Sequence, residues 1–372
     1  MGDPYEVLYT HSSTHICFAL VLSAGASMSE TMSLTTVVRD IRSRQKIKFN
    51  PPDRPTAVWT GKDILDGKSI TALTVIFQTT GCRWNNCTMC GYVYDSSRIA
   101  PSHDELMKQF EHAMMRCRDE EFIVKIFTSG SFLDDGEIPI ATRIEILSRL
   151  GADARVKKVI AETRPEYVTQ EKLSECTAAL GKRFEVAIGL ETSNDMIRKD
   201  IINKGFSFAD FVKASEIAEQ ENITVKAYLL LKPPFISESV AINDIVNSIT
   251  DASKFAGTIS VNLCNVQKGT LVDEMFERGD YRPPWLWSAV EVLKLGKEAN
   301  SGTVIMSDPV AAGSMRGPHN CGKCDKDVAE AIRIFSNTQD TRIFEGLDCD
   351  CRELWKKVVE LERFTFGAVM VK

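Results

Sequence analysis

Three cysteines fall within nine positions of the stretch QTTGCRWNNCTMCGYVYDSS, residues 78–97: Cys82, Cys87 and Cys90, spaced C-x4-C-x2-C. Three thiolates are one short of a closed tetrahedral zinc site, and they do not pair off as disulfides. An iron–sulfur cube held through three of its four irons would use three and leave one iron open to a further ligand. A zinc site completed by a distant fourth ligand, or chance clustering, are the competing readings. Gly81 and Gly91 bracket the loop and permit backbone geometry that other residues resist.

A second group lies near the other end. Cys321 and Cys324 form C-x2-C, and Cys349 and Cys351 form C-x-C twenty-four residues further on. Two close pairs of thiolates suit structural zinc, whose binding energy stabilises a segment with little core of its own. A second iron–sulfur cluster takes the same four ligands, and His319 could replace one of them. The other four cysteines, Cys17, Cys117, Cys176 and Cys264, are scattered and read as small buried hydrophobes. With 11 cysteines, an odd number, the chain is no disulfide scaffold; tight clusters point to metal binding in a reducing compartment, the cytoplasm.

The elements that must position these groups show as a rhythm. Apolar, β-rich runs recur at 73–79, 122–130, 156–163, 184–192, 223–231 and 257–264. Helical patterns such as SHDELMKQFEHAMMRCRD and SFADFVKASEIAEQEN lie between them. Alternating strands and helices predict a parallel α/β sheet, either doubly wound or a partial barrel. The continuous hydrophobicity of the strands predicts burial on both faces. Each run ends in polar residues: TTGC, TSGS, AETRPE, LETS, LKPPF and NVQKGT. Strand carboxyl ends are where such folds collect chemistry. TVIMSD, after residue 300, could be one more strand.

Composition bounds the rest. With 44% apolar and 26% charged residues the 372-residue chain is an ordinary globular protein. A formal charge of −6 argues against a stand-alone nucleic-acid binder. The most basic stretch, Arg39 to Lys62, reads as a solvated lead-in. No apolar run has the length of a membrane span. ICFALVLSAGA (16–26) resembles a signal h-region without a preceding positive charge, so residues 1–35 read as an extension with a mis-called start, Met28 or Met32 being the initiator. His11 and His15 share helical spacing, but nothing else there suggests a metal site.

The Cys82–Cys87–Cys90 loop resembles the cluster loop of the radical S-adenosylmethionine (SAM) superfamily. Its usual spacing is C-x3-C-x2-C, one residue shorter, and Met89 stands where an aromatic is usual. The resemblance implies an α/β fold, a partial (β/α)6 barrel of TIM type over 36–300 with a small C-terminal metal-binding appendage over 301–372. It implies a [4Fe-4S] cluster on Cys82, Cys87 and Cys90. Ser129 and Gly130 in FTSGSF would meet the methionine amino group. AETRPEYVT resembles the Elongator-like subgroup and makes Glu162 and Arg164 pocket residues, with Glu191 on the ribose hydroxyls; a barrel-rim ion pair is the alternative for all three. Lys204 and Lys232 are weaker pocket candidates, with solvated side chains as the alternative, and Tyr92 and Cys264 read as packing residues rather than radical quenchers or proton donors.

From about residue 36 the chain is similar to the archaeal radical enzymes of archaeosine biosynthesis, through TTGCRWNNCTMCGY, FTSGSFLD, ETRPEY, GLETSND, KPPF and DPVAAGSMRGPHNCGKCD. That family implies a lyase acting on tRNA that carries a lysine-linked 7-cyano-7-deazaguanine adduct in the D-loop, with C–N cleavage giving archaeosine. It implies three partners: the tRNA, a transglycosylase-like synthase subunit that attaches the lysine, and a one-electron reductant such as ferredoxin or flavodoxin. The acidic charge then suggests that the synthase grips the tRNA. A methylthiotransferase-like or Elongator-like enzyme is the nearest alternative, and a metal-stabilised tRNA-binding scaffold is the non-enzymatic one.

Overall fold

The computed structural model of the chain describes residues 33–46, 50–97 and 99–362. The expected N-terminal extension lies outside them as far as residue 32, together with Cys17, His11, His15 and both candidate initiators. Eight strands form one sheet in sequence order: β1 (Ala57–Leu65), β2 (Lys68–Ile76), β3 (Phe122–Phe127), β4 (Val156–Thr163), β5 (Arg183–Glu191), β6 (Thr224–Leu231), β7 (Thr258–Leu263) and β8 (Val304–Met306). β1 is antiparallel to β2, and all the later pairs are parallel. The helices are α1 (Leu34–Ser43), α2 (His103–Met114), α3 (Ile140–Ala152), α4 (Gln170–Leu180), α5 (Phe208–Gln220), α6 (Glu238–Ala252), α7 (Leu271–Arg278), α8 (Leu286–Ala299), α9 (Asp325–Thr338) and α10 (Cys351–Leu361). Helical crossovers between successive parallel strands, with both α7 and α8 between β7 and β8, build the expected half-barrel. Among the described residues, no helix is long and apolar enough to cross a membrane.

All six predicted strands form, and TVIMSD supplies β8. β1 was not anticipated. It pairs with β2 through Asp66–Gly67, whose φ values of 51° and 73° make the Asp-Gly turn that joins twisted strands.

The two faces of the sheet differ, contrary to the expectation of apolar burial on both. The outer row, with Leu73, Val75, Val124, Ile126, Val159, Val186, Ile188, Val225 and Leu229, packs under the helices in the main core. The inner row mixes Ala72, Ile123, Ile160 and Ala187 with charged groups. Asp63 of β1 pairs with Lys125 of β3 and, at 3.6 Å, with Lys226 of β6. Lys158 pairs with Glu185 at 2.7 Å. The foot of the barrel is therefore closed by ion pairs reaching between strands far apart in the sheet.

The C-terminal segment is no coreless appendage. Val328, Ile332 and Phe335 of α9 and Trp355 and Val358 of α10 share the main core with Trp287, Leu293 and Ile305. α9 also covers the free edge of β8. The Gln339 amide bonds both the N–H (2.9 Å) and the C=O (2.7 Å) of Ile305, and the Ser336 hydroxyl does the same for Ser307 at 2.8 Å each. Helix side chains thus take the place of a ninth strand, which satisfies an edge that would otherwise be open.

Candidate functional site

The cysteine loop leaves the carboxyl end of β2 and is held from three sides. Arg42 of α1 donates to the Cys87 carbonyl (3.2 Å), the Cys90 carbonyl (2.8 Å) and Asn85, while Arg39 reaches Asn86 Oδ1 at 3.1 Å. Two arginines of the basic lead-in are thus a clamp, while Arg44, Lys46, Arg54 and Lys62 of the same stretch are exposed as expected. From the second side comes a π-helical turn, Ile197–Ile202, whose carbonyls accept from Thr88 N (3.0 Å) and Thr88 Oγ1 (2.9 Å). From the third, Gln267 accepts the Gly91 N–H at 2.6 Å.

The extra residue of the C-x4-C half has a place in this scheme. Trp84 Nε1 donates to the Asn203 carbonyl at 2.6 Å, and its indole lies over Gly205. Gly205 has φ +81°, and a Cβ there would be 2.6 Å from Trp84 Cζ2 and closer to the ring fusion. Asn203 in turn donates to the Asn86 carbonyl at 2.9 Å. The longer loop therefore docks onto the π-turn, a local irregularity common at functional sites.

Cys87 is buried, and Cys82 and Cys90 are partly so. Burial pushes the Cys87 thiol up to about 12; Lys204 opposes this, and Cys90 and Cys82 add to it. Burial raises Cys90 as well. Burial thus disfavours the Cys87 and Cys90 thiolates unless a cation compensates, and thiolate-bound iron supplies that compensation. The donor set fits an iron–sulfur cluster.

Beside the loop sit the expected pocket residues. At Gly130 any side chain would overlap Glu137 Oε1 and approach Cys82 Cα to 2.6 Å, so the chain passes here as glycine alone. Ser129 Oγ faces the Tyr92 carbonyl at 3.5 Å. Burial raises the Glu162 carboxyl to about 8, with Lys204 lowering it and Glu191 and Glu137 raising it. Glu191, at the bulged end of β5 with φ +66°, is paired with Lys204 at 2.6 Å. Arg164 turns aside: its guanidinium lies 5.3 Å from the Phe206 ring centroid, pairs with Glu166 and donates to the Lys204 carbonyl at 3.3 Å. Glu162, Glu191 and the loop thiols thus gather around one lysine, with Arg164 braced behind it.

The solvated alternative holds for neither lysine. Lys204 organises the pocket, and Lys232 is buried in a 2.6 Å pair with Glu238. Cys264 is buried beside Tyr281, as a packing residue should be, and Tyr92 is half exposed. Glu137 escaped the sequence reading. It accepts from Thr79 Oγ1 (2.7 Å) and the Ser131 N–H (2.6 Å), tying the β2 and β3 exits together, and burial pushes it up to about 7. The only sequence signal was a carboxylate seven residues past the glycine of the TSGS turn.

The four C-terminal sulfurs all lie within 4.8 Å of one another, Cys321–Cys349 at 3.7 Å and Cys324–Cys351 at 3.6 Å. A tetrahedron around one ion about 2.3 Å from each sulfur has edges of about 3.8 Å. A four-iron cube binds its thiolates at separate corners and spreads them farther. Trp287 Nε1 and Asn320 Nδ2 donate to Cys351 and Cys324 at 3.3 Å each, the kind of outer contacts that orient metal ligands. His319 instead bonds the Gly317 carbonyl at 2.8 Å.

No protein-family profile matches the chain. Among curated proteins it is 54% identical over 341 residues, 90% of this chain and 99% of the relative, to the archaeosine synthase subunit beta of Methanosarcina acetivorans. To the protein of the same name from Thermococcus kodakarensis it is 43% identical over 310 residues, 81% of this chain and 96% of the relative. Similar solved structures include a queuine lyase from Clostridium spiroforme bound to SAM and queuine, with TM-score 0.43, 19% identity, and 59% of this chain and 87% of that one covered. Another is the Elp3 of Methanocaldococcus infernus, with TM-score 0.46, 15% identity, and 80% and 63% covered.

Proposed function

The chain belongs to the archaeosine synthase subunit beta family, and from that premise we propose that it is a radical SAM lyase that completes archaeosine in tRNA. Its substrate is the lysine-linked 7-cyano-7-deazaguanine adduct of the D-loop, and the bond cleaved is a C–N bond of the lysine-derived chain. The observation that carries this reading is the convergence of Cys82, Cys87 and Cys90 with Glu162 and Glu191 at the strand carboxyl ends. Cys82, Cys87 and Cys90 hold the [4Fe-4S] cluster. When bound, it supplies the electron that opens the sulfonium of S-adenosylmethionine.

The chain's own residues position the reactants. The Gly130 turn, with Ser129, presents backbone groups to the methionine end. The Glu162 and Glu191 carboxyls accept from amino and hydroxyl groups, for which an acceptor-only carboxylate is suited. Lys204 fixes Glu191 in its bulge, and Arg164 stiffens the Lys204 backbone. Met89 packs beside Ile41, Leu230 and Val266, giving an apolar wall where an aromatic is usual. The four C-terminal cysteines hold one zinc ion that ties the start of α9 to the start of α10. The partners are tRNA, the transglycosylase-like synthase subunit that delivers the lysine and much of the tRNA affinity, and a one-electron reductant; the setting is the cytoplasm.

Anaerobically reconstituted protein, given the lysine-adduct tRNA and S-adenosylmethionine, is expected to release 5′-deoxyadenosine and form archaeosine, whereas Cys87→Ala forms neither. Equal turnover by Cys87→Ala would remove the loop from the chemistry. Metal analysis of the same variant, with its loop cluster lost, should still find one zinc and no iron; iron and sulfide in its place would make the C-terminal site a second cluster.

A further inference from the structure

The outer side of the cysteine loop carries a concavity of about 260 Å³ lined by Arg39, Arg42, Arg83, Trp84, Asn85 and Asn86. None of the pocket residues Ser129, Glu162 or Glu191 lines it, so it opens on a different surface of the loop from the cofactor pocket. Three guanidiniums meet here on a chain of net charge −6. Arg83 is exposed and has one carboxylate partner, Asp134 at 2.8 Å. Arg39 and Arg42 meet only amide and carbonyl oxygens, and among the described residues neither forms an ion pair. Arg42 Nε is buried with no hydrogen-bond partner. The cavity is thus electropositive and undercompensated.

Its location decides what it suits. Arg42 joins the concavity directly to the backbone of two of the three thiol residues, through the Cys87 and Cys90 carbonyls. An occupant seated there touches the ligand loop from outside while the pocket remains free for substrate. An RNA phosphate placed there would gain affinity but bring no base toward Glu162 and Glu191. A redox carrier needs only proximity to the loop, and it must deliver its electron while the pocket is filled.

Resting on the cluster reading above, the geometry points to this concavity as the docking seat of a small acidic one-electron carrier. The carrier loses one electron and the cluster gains one; no bond, proton or group is transferred at this surface. The rest of the acidic chain repels such a partner, so the arginine patch both attracts and orients it. Trp84, pinned by Asn203 and Gly205, gives the seat a rigid floor.

The test compares wild type, Arg39→Gln/Arg83→Gln and Arg39→Lys/Arg83→Lys as full-length reconstituted protein, with an acidic flavodoxin as probe. Binding of flavodoxin to the reconstituted protein is measured by titration calorimetry at low and high salt. Bleaching of the cluster's visible absorption is followed with photoreduced flavodoxin and, separately, with dithionite; tRNA affinity is measured on all three proteins. The Gln pair should weaken flavodoxin binding and slow flavodoxin-driven bleaching by about tenfold or more at low salt. The difference should shrink at high salt. Because Arg39 also holds the loop through Asn86, each protein's flavodoxin-driven rate is divided by its own dithionite rate; tRNA affinity should change less than twofold, and the Lys pair should track wild type. Unchanged flavodoxin binding overturns the proposal, as does a Lys pair as defective as the Gln pair. Loss of tRNA affinity with flavodoxin binding intact would make the patch a phosphate seat and overturn it too. Failure of dithionite to bleach wild type would sink the cluster reading instead, leaving the calorimetric comparison to judge the docking seat.

Discussion

Replacing Asp63 by Asn removes the carboxylate that lies between Lys125 and Lys226 at the foot of the barrel. The Asp63 side chain is 4% exposed and Lys226 only 2%, while Lys125 is 15% exposed. Burial alone would raise the Asp63 carboxyl, but Lys226 and Lys125 outweigh it and hold it well below its ordinary 3.8. Burial lowers the Lys226 ammonium, and Asp63 works against that shift. Without Asp63, Lys226 keeps the cost of burial and gains a like-charged neighbour. Breaking such a pair from one side costs about 3–5 kcal/mol, a fall in Tm of roughly 4–6 °C for a chain of this size. Removing both partners, as Asp63→Asn/Lys226→Met, should recover more than half of that loss, because no buried charge is stranded. The acid limb fixes the sign. A depressed carboxyl adds stability above its unfolded pKa and loses it as pH falls through the folded one. The gap between wild type and Asp63→Asn should therefore be full at pH 6 and close steadily below about pH 4. Calorimetric melts of the three proteins across pH decide the matter. An Asp63→Asn protein melting within a degree of wild type at neutral pH would refute the ion-paired foot, as would a double variant as unstable as the single one.

Glu137 titrates in the opposite sense. Its carboxyl is raised to about 7 chiefly by burial, so the stability it contributes is full below about 4.5 and is lost as pH climbs through 7. Relative to wild type, Glu137→Gln should gain up to about 3 kcal/mol between pH 5 and 9 in urea midpoints; a difference that does not vary with pH contradicts the buried acid. Gly205→Ala adds about 1–2 kcal/mol of left-handed backbone strain and displaces the Trp84 indole, so a lower Tm with red-shifted tryptophan emission is expected, and unchanged emission would argue against that docking. Gln339→Leu strands the N–H and C=O of Ile305, at about 1–3 kcal/mol for each buried group. Amide exchange at Ile305 should quicken while that of Val186 in the central sheet holds, and equal protection at Ile305 would deny α9 its role as strand surrogate.

The parallel strands could be read because their outer rows, such as Leu73–Val75 and Val159–Ala161, carry local apolar signals that tertiary context does not overturn. The inner row was in plain view too. Lys125, Lys158, Glu185 and Lys226 each interrupt an apolar run at an inward position, and their alternation with the outer valines and isoleucines marks a polar barrel interior. Averaging each run into one hydrophobic block hides that alternation. β1 was lost differently. AVWTGKDIL has a charged, weakly periodic pattern, and its Lys62 and Asp63 suggest solvent until Lys125 and Lys226, far along the chain, are placed opposite Asp63. The Asp66–Gly67 dipeptide was the available local sign of a hairpin.

The candidate site divides along the same line between local and distant causes. Three thiols in one loop announce themselves, since their chemistry depends on spacing alone, and the glycine of TSGS announces a turn. Arg42, Glu137 and Lys204 do not, because each acquires its role from groups forty or more residues away or from a fold-back over the pocket: Arg42 from the Cys87 and Cys90 carbonyls, Glu137 from Thr79, Lys204 from Glu191 across the π-turn. The one-residue excess of the C-x4-C loop shows how far the two are coupled. Seen in the loop alone it is a departure from the usual spacing. Beside Asn203 and Gly205 the longer loop carries a tryptophan anchored by one hydrogen bond and one glycine: removing Trp84 would leave the Asn203 carbonyl without its donor and Gly205 without its cover.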